Sequence, residues 1–253
     1  MTGAYGESLL AEETIEELSP GGLCIIQARQ GYRYSLDPFL LADFVDVVSG
    51  GQVADLGAGS GLLPLLLAAK VGSGRIVGLE IQEAMVERAR RTVDLNRLQG
   101  TISLVQGDVR RLPQELPRAC HDLVVTNPPY RSPASGRISH GDERSAARHE
   151  LNGGLADFVA AGRKLLKDGG RFAVIFPVER LVELLTGMRE ERLEPKRLRM
   201  VHSRRDDSAS LVLAEGRKNG RGGLTVEPPL FVYEGEGRSY SAEMQKIRGT
   251  TVF

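Results

Sequence analysis

The chain has 253 residues, of which 41% are hydrophobic and 26% are charged, a composition typical of a soluble α/β protein with a sizeable core. Its 33 basic and 33 acidic side chains leave no formal net charge, which argues against a protein that coats nucleic acid by bulk charge. An acidic start without an apolar stretch, and no apolar run of roughly 20 residues, predict no signal peptide and no membrane span, hence a cytoplasmic protein.

The first 49 residues are predicted to form a small extension that packs on a core of residues 50–253. The elements expected in it are an acidic, loosely packed arm (1–20), two short strands around a turn (23–27 and 32–34) and an apolar helix (39–48). Pro38 opens that helix, and Asp37 is its expected N-cap.

From residue 51 onward, strands and helices alternate. The expected strands are 53–56, 75–80, 102–106, 123–126 and 172–176, and the expected helices are 62–70, 83–98, 155–166 and 179–191. Continuous apolar runs indicate strands covered on both faces, so the sheet should be mainly parallel. The tail has strand candidates at 198–202, 209–214 and 230–233, and it is expected to add an antiparallel hairpin and then a short helix.

A glycine-rich turn follows the first strand of the core. Gly57, Gly59 and Gly61 allow a tight turn and close approach of a ligand to the backbone, and the following helix N-terminus offers free N–H donors. A dinucleotide-binding motif would have glycine in place of Leu62, so the spacing indicates another nucleoside-like ligand. Asp55, just before the turn, is placed to hold an ammonium, such as the amino group of a methionine moiety.

Acidic residues also end the next two strands. Glu80, about 20 residues beyond the glycines, is positioned to accept both ribose hydroxyls of a nucleoside. Asp108 can accept a hydrogen bond from an adenine amino group. No metal site is expected, because Cys24 and Cys120 are far apart and show no metal-ligand spacing.

The fourth strand runs into Asn127-Pro128-Pro129-Tyr130. An aromatic exocyclic amine is a poor nucleophile, because its lone pair is delocalised into the ring. If the Asn127 side-chain oxygen and the Pro128 carbonyl accept its two N–H groups, the nitrogen becomes more pyramidal and can attack an activated methyl group. The prolines hold these acceptors rigidly, and Tyr130 can stack on a planar base.

These motifs resemble those of class I methyltransferases that act on amino nitrogens. The resemblance extends to the bacterial tRNA adenine-N6 methyltransferases that modify the adenine next to the anticodon of a valine tRNA. Three further segments support it: 30–42, 144–150, and 229–233 with 240–241.

The resemblance implies a Rossmann-like α/β fold, with a mainly parallel seven-stranded sheet, an antiparallel C-terminal hairpin and the small N-terminal extension. It also implies S-adenosylmethionine as cofactor and RNA as partner, with residues near Tyr34, Ser35 and Pro38 covering the methionine end. The predicted catalytic residues are Asn127, Pro128, Pro129 and Tyr130. The predicted cofactor-binding residues are Tyr34, Asp55, Gly57, Gly59, Gly61, Glu80, Asp108 and Asn127.

Basic clusters are candidates for contact with RNA phosphates, although interspersed acids are equally typical of a solvated surface. They are Arg131, Arg137, Arg144 and Arg148; Arg197, Arg199, Arg204 and Arg205; and Arg217, Lys218 and Arg221. A target adenine would have to swing out of its loop to reach Asn127.

Several alternatives stay open at this point. The same tetrapeptide is found in enzymes that methylate protein glutamine, guanine amines or DNA adenine. A nicotinamide-dependent oxidoreductase is disfavoured by the early third glycine and by the absence of a Tyr-x-x-x-Lys pair. A non-enzymatic RNA-binding protein is disfavoured by the intact tetrapeptide. The oligomeric state and the identity of the RNA are not predicted.

Overall fold

The structure, a computed structural model, describes residues 9–18, 22–30, 35–129 and 153–249. Their strands are β1 (Glu13–Glu17), β2 (Cys24–Ala28), β3 (Gln52–Leu56), β4 (Arg75–Glu80), β5 (Ile102–Gln106), β6 (His121–Thr126), β7 (Leu166–Pro177), β8 (Leu193–His202), β9 (Ala209–Lys218), β10 (Thr225–Val226) and β11 (Leu230–Phe231). Their α-helices are α1 (Asp37–Phe44), α2 (Leu62–Val71), α3 (Glu83–Leu95), α4 (Leu155–Leu165), α5 (Leu181–Glu190) and α6 (Ala242–Gly249). None of these helices is long and apolar enough to cross a bilayer.

The main sheet has nine strands: the predicted seven, β3 to β9, and the two-residue strands β10 and β11. Their order is β10-β8-β9-β7-β6-β3-β4-β5, and β11 pairs with the C-terminal end of β8. Strands β3 to β7 run parallel to one another, whereas β9 is antiparallel to both β7 and β8. The prediction of a mainly parallel sheet closed by an antiparallel hairpin is therefore confirmed. After β5 the chain returns to the other side of β3 to form β6, so the strand order reverses between β3 and β6. Such reversal points are where open α/β sheets bind ligands.

Apolar side chains cover both faces of this sheet. On β3, Val53 packs in the cluster with α1, α2 and α3, while Ala54 and Leu56 pack in the cluster with α4 and α5. Phe172 and Phe176 of β7 are fully buried in the second cluster. Two covered faces explain why the strands have continuous apolar runs rather than alternating ones.

The acidic start of the chain differs from the prediction of a loose arm. Glu13–Glu17 forms β1, which pairs antiparallel with β2. Glu13 is only 2% exposed, and its carboxylate forms ion pairs with Arg88 and Arg91 of α3. An acidic side chain can be buried when it is paired with a basic one, so an acidic composition alone does not predict a loosely packed segment. The second strand expected in the extension, 32–34, lies outside the described residues.

Several element boundaries also differ from the predictions. Helix α1 starts at Asp37 itself, so Asp37 is not its N-cap, and the chain turns extended at Val45, well before residue 48. Strand β7 begins at Leu166 rather than at residue 172, so Asp168-Gly169-Gly170 lies inside it, and Gly169 has a φ of +74° where the register with β6 shifts. Strands β8 and β9 are ten residues each, longer than predicted, because each satisfies the backbone groups of the other.

Candidate active site

The glycine turn and the Asn-Pro-Pro segment leave neighbouring strands at the same edge of the sheet. Leu56 and Thr126, the last residues of β3 and β6, are paired in register. The Thr126 hydroxyl donates a hydrogen bond of 2.8 Å to the Leu56 carbonyl, and both residues are buried. Gly57 and Asn127, which follow directly, therefore start from strands about 4.8 Å apart. This edge is the carboxyl edge at the reversal point.

The turn after β3 needs its glycines for different reasons. Gly57, Gly59 and Gly61 have φ values of +80°, +55° and +85°, a region that L side chains rarely adopt. A Cβ on Gly57 or Gly61 would also crowd Phe158 or Ala89, at 3.3 and 3.2 Å. A Cβ on Gly59 would meet nothing within 4 Å. The backbone at Gly59 is thus open on the side from which a ligand would approach.

Glu80, the last residue of β4, is fixed against that turn. One carboxylate oxygen accepts from the Gly59 N–H and the other from the Gln82 N–H, each at 2.9 Å. The side chain is 6% exposed. A carboxylate has about four acceptor sites, so each oxygen keeps capacity for a further donor. Two oriented acceptors fit the two hydroxyls of a vicinal diol such as a ribose, which remains the predicted role of Glu80.

Asp55 is the most unusual group at this edge. It is 1% exposed. Burial, and to a smaller extent the nearby charge of Glu80, raises the pKa of Asp55 from 3.8 to about 8. No donor among the described residues offsets this cost. A buried carboxylate beside a second carboxylate is stabilised by an incoming cation. The environment therefore fits the ammonium group that the sequence predicted for this position.

Asp108 follows β5, whose Gln106 is paired with Glu80. The Arg110 side chain binds the Asp108 carboxylate through two nitrogens, and the Arg110 N–H donates to it at 2.8 Å. Arg110 lowers the pKa of Asp108, which keeps the carboxylate charged although it is partly buried. An oriented, charged acceptor at this position fits the amino group of an adenine.

The Asn-Pro-Pro segment is partly enclosed. Asn127 and Pro129 are half-buried and Pro128 is buried. Of the predicted site residues, Tyr34 and Tyr130 lie outside the described residues. The others come together at one edge of the sheet, as the sequence predicted from the strand ends; their individual chemical roles remain predictions.

Two residues of this edge were not predicted. Thr126 links the two loops, but a threonine in a strand gives no separate signal, since its hydroxyl partner is 70 residues away. Arg180 follows β7, which lies beside β6, and its guanidinium stacks 4.7 Å from the centre of the Phe176 ring. It also pairs with Glu183. An arginine opening a helix looked like ordinary helix composition in the sequence.

The basic clusters separate into different surroundings. Arg197 pairs with Asp46 and Glu227, and Arg199 pairs with Glu243. Arg217 and Lys218 are the last residues of β9 and Arg221 follows them, so this cluster lies at the amino edge, opposite the candidate site. Arg204 and Arg205 lie in the turn between β8 and β9, at the carboxyl edge. Arg131, Arg137, Arg144 and Arg148 lie outside the described residues.

Comparison with known proteins decides the enzyme class. Residues 37–180 match the model of the methyltransferase small domain family, and this stretch includes both loops and all three acidic strand ends. The chain belongs to this family. The prediction of a methyltransferase that uses S-adenosylmethionine is thereby confirmed.

Solved methyltransferase structures share the fold. A predicted O-methyltransferase from Agrobacterium tumefaciens superposes with a TM-score of 0.66 at 21% identity, over 84% of this chain and 95% of that one. An S-adenosylmethionine-dependent methyltransferase from Aquifex aeolicus has a TM-score of 0.53 at 18% identity, over 72% and 89%. The predicted Rossmann-like methyltransferase fold is confirmed.

Curated relatives of this methyltransferase have a more specific name, tRNA1(Val) (adenine(37)-N6)-methyltransferase. The one from Dyadobacter fermentans is 26% identical over 83% of this chain and 86% of its own length. Those from Trichodesmium erythraeum and Yersinia pseudotuberculosis are each 31% identical, over 61% of this chain and 64% and 61% of their own lengths. The latter two matches therefore span slightly less than two thirds of those relatives.

Proposed function

We propose that this methyltransferase transfers the methyl group of S-adenosylmethionine to the N6 amino group of an adenine in RNA, within the anticodon loop of a tRNA. The observation that supports it most is the junction of the two loops at the carboxyl edge. The Thr126 hydrogen bond to Leu56 holds the start of the glycine turn beside the start of the Asn-Pro-Pro segment. A methyl donor on one loop and an amine on the other would then be in contact.

The residues of the glycine side would hold the cofactor, which supplies a methyl group on a sulfonium. Asp55 accepts from its ammonium, and Glu80 accepts from its ribose hydroxyls while remaining anchored to the Gly59 N–H. Asp108 accepts from its adenine amino group, in an orientation set by Arg110. The open side of Gly59 allows the nucleoside to lie against the backbone of the turn.

The residues after β6 act on the amine. The Asn127 side-chain oxygen and the Pro128 carbonyl accept its two hydrogens, so its lone pair is no longer delocalised fully into the ring and is directed at the methyl carbon. S-adenosylmethionine would supply the methyl group with its sulfonium as the leaving group, and the methylated nitrogen would release one proton to solvent. No nucleophilic side chain is required, because positioning and hydrogen bonding do the work.

The names of the curated relatives support RNA as the substrate, since each names an adenine of a tRNA. A base in a single-stranded loop can leave the stack at little cost, as access to a partly enclosed Asn127 requires. A tRNA substrate is consistent with action in the cytoplasm. We also propose that residues 50–253 form the methyltransferase domain and residues 1–49 an extension packed on it.

The decisive variant is Asn127→Ala. We expect methyl transfer to total tRNA to fall by a factor of about 100 to 1,000, as when one preorganised donor or acceptor is lost. Binding of S-adenosylhomocysteine, measured by calorimetry, should change by less than about threefold. The labelled nucleoside should be N6-methyladenosine.

Two results would overturn the proposal. A variant that transfers methyl groups at nearly the wild-type rate would remove Asn127 from the mechanism. Label that enters protein or guanosine, rather than adenosine, would assign the same chemistry to another amine.

A further inference from the structure

Apart from the candidate active site, a cleft opens at the turn between β8 and β9. Its volume is about 460 Å³, and its walls come from residues 204–207, 231, 233–236 and 241–242. The lining includes two aromatic rings, Phe231 and Tyr233. It also includes two arginines and four carboxylates. The site described above uses none of these residues.

The cleft lies on the same edge of the sheet as Asn127. Strands β6, β7 and β8 run in one direction, so the turn after His202 emerges at the carboxyl edge. From β6 to β8 there are three strand spacings, or about 14 Å along the edge. Seen from β6, the cleft lies on the side away from β4, which ends at Glu80, and from β5, which Asp108 follows. The cleft is therefore on the side where a substrate, rather than the cofactor, would extend.

The two arginines of the cleft are not equivalent. Arg204 donates to the carbonyl oxygens of Gly235 and Gly237, at 3.1 and 2.9 Å, and so holds one wall in place. Arg205 is exposed, and its guanidinium lies 5.3 Å from the centre of the Phe231 ring. Within the described part of the chain, Arg205 has no ion-pair partner. Its planar face and its N–H groups are available to a ligand.

The charge of the cleft selects the kind of ligand. Asp206, Asp207, Glu234 and Glu236 outnumber the two arginines, so a bare phosphate would be repelled. Carboxylates accept hydrogen bonds from the amino groups of nucleobases, and arginine planes and aromatic rings stack on unpaired bases. These three kinds of group occur together in this cleft.

We infer that the cleft between the β8–β9 turn and residues 231–236 binds one unstacked nucleobase, bearing an exocyclic amine, from the same RNA strand as the methylated adenosine. Arg205 stacks on this base, and the carboxylates accept from its amine. The inference rests on the proposed function, because it needs an RNA substrate. It makes the cleft a specificity site that selects the sequence around the target.

The test compares Arg205→Ala with Arg221→Ala, a matched change of an exposed arginine at the opposite edge. The substrate is a synthetic hairpin RNA with the target adenosine in its loop. A set of such RNAs has each flanking loop nucleotide replaced in turn by an abasic nucleotide. We expect Arg205→Ala to raise KM for the intact hairpin about tenfold, with kcat and S-adenosylhomocysteine binding unchanged. Arg221→Ala should match the wild type.

The abasic series identifies the base. One abasic position should raise KM about tenfold with the wild type and have no additional effect with Arg205→Ala, since both changes remove the same contact. Equal KM values for the two arginine variants, or additive effects at every position, would overturn the inference while leaving the proposed function intact. If the wild type methylates protein but no RNA, both the proposed function and this inference are wrong. Melting temperatures of the variants establish that both are folded.

Discussion

At the scale of single residues, Asp55 shows how a binding site is maintained at a cost. Its carboxyl is buried next to Glu80, and its pKa is raised to about 8. The folded, ligand-free protein therefore holds this proton more tightly than the unfolded chain does. Stability from this group is complete below pH 3.8 and is lost as the pH rises towards 8. An incoming ammonium reverses the preference, because it favours the charged carboxylate.

This balance predicts pH-dependent cofactor binding. If the ammonium binds only ionised Asp55, the affinity for S-adenosylhomocysteine should fall roughly 20-fold between pH 8.5 and pH 6.5. Calorimetry in buffers of different ionisation enthalpy should show a proton released on binding at pH 7. The ligand-free protein should also become more stable over the same decrease in pH.

The matched variant is Asp55→Asn, which keeps the shape and does not titrate. We expect it to bind S-adenosylhomocysteine weakly at every pH and to show neither the trend nor the proton release. Its ligand-free form should be more stable than the wild type at pH 8, by about 1 kcal/mol or more. An identical pH trend in Asp55→Asn would assign the titration to another group.

At the scale of elements, the β1–β2 hairpin is fastened to α3 by polar contacts. The Asn96 side chain of the α3 C-terminus exchanges hydrogen bonds with the backbone of Cys24, and the Thr92 hydroxyl accepts from the Ile26 N–H. Glu13 binds Arg88 and Arg91 of the same helix. The extension is therefore attached to the helix that follows Glu80, through hydrogen bonds to its backbone and through one buried carboxylate.

Glu13→Ala should cost about 2 kcal/mol in the free energy of unfolding, because it leaves two partly buried guanidinium groups without their partner. Hydrogen bonds from Arg91, which have the largest effect, and from Arg88 lower the pKa of Glu13 from 4.5 to about 2. The stabilisation is thus present above pH 4.5 and lost as the pH falls through 2. Urea unfolding at several pH values between 5 and 2.5 measures both effects.

The control for this prediction is Glu13→Gln, which keeps the side-chain length without the charge. Its stability should change less with pH over that interval than the stability of the wild type. If the free energy of unfolding changes with pH equally in the wild type and in Glu13→Gln, the ion pairs contribute little to stability.

Helix α1 depends on a lysine from the next helix. The Lys70 ammonium donates to the carbonyl oxygens of Ala42, Asp43 and Val45, at the end of α1 where intrahelical partners run out. Lys70→Met, which keeps the aliphatic length, should lower the free energy of unfolding by about 1–2 kcal/mol. Thermal unfolding measures this; an unchanged melting temperature would mean that water replaces the lysine without cost.

At the scale of the whole molecule, the topology brings residues distant in sequence to one edge. Asp55, Glu80, Asp108 and Asn127 end or follow four parallel strands, so their common location follows from strand direction. The cleft at the β8–β9 turn shares that edge because β8 runs in the same direction. The surfaces proposed for the cofactor and the substrate thus lie along one edge, with the reversal point between β3 and β6 at their junction.

A ligand bound at this junction should stabilise the whole fold. S-adenosylhomocysteine at 100 times its Kd contributes about 2.7 kcal/mol, which should raise the melting temperature by roughly 5–10 °C. NAD at the same concentration should leave it unchanged. Stabilisation by NAD alone would contradict the assignment of the glycine turn to a methyl donor.

The strand ends of the site could be predicted because each has a local signal: glycines after an apolar run, a carboxylate at a strand end, and Asn-Pro-Pro-Tyr. The structure of the acidic arm could not be predicted in this way. Glu13 looks solvated until Arg88 and Arg91, far along the chain, are placed beside it. Asp168-Gly169-Gly170 likewise looks like a break after the predicted helix. It lies inside β7 because the residues on both sides pair with distant strands, Leu166 with β6 and Arg171 with β6 and β9.

The sequence by itself determined the chemistry, because the residue types at the ends of strands are set by what they must bind and by the conformations that glycine and proline allow. Only the tertiary structure decided which charged groups are engaged and which face a ligand. Arg197 and Arg205 each stand next to another basic residue in the sequence, yet one is paired with Asp46 and Glu227 and the other lies exposed over Phe231. Ion pairs and ring contacts form between distant residues, so their partners are known only once the chain has folded.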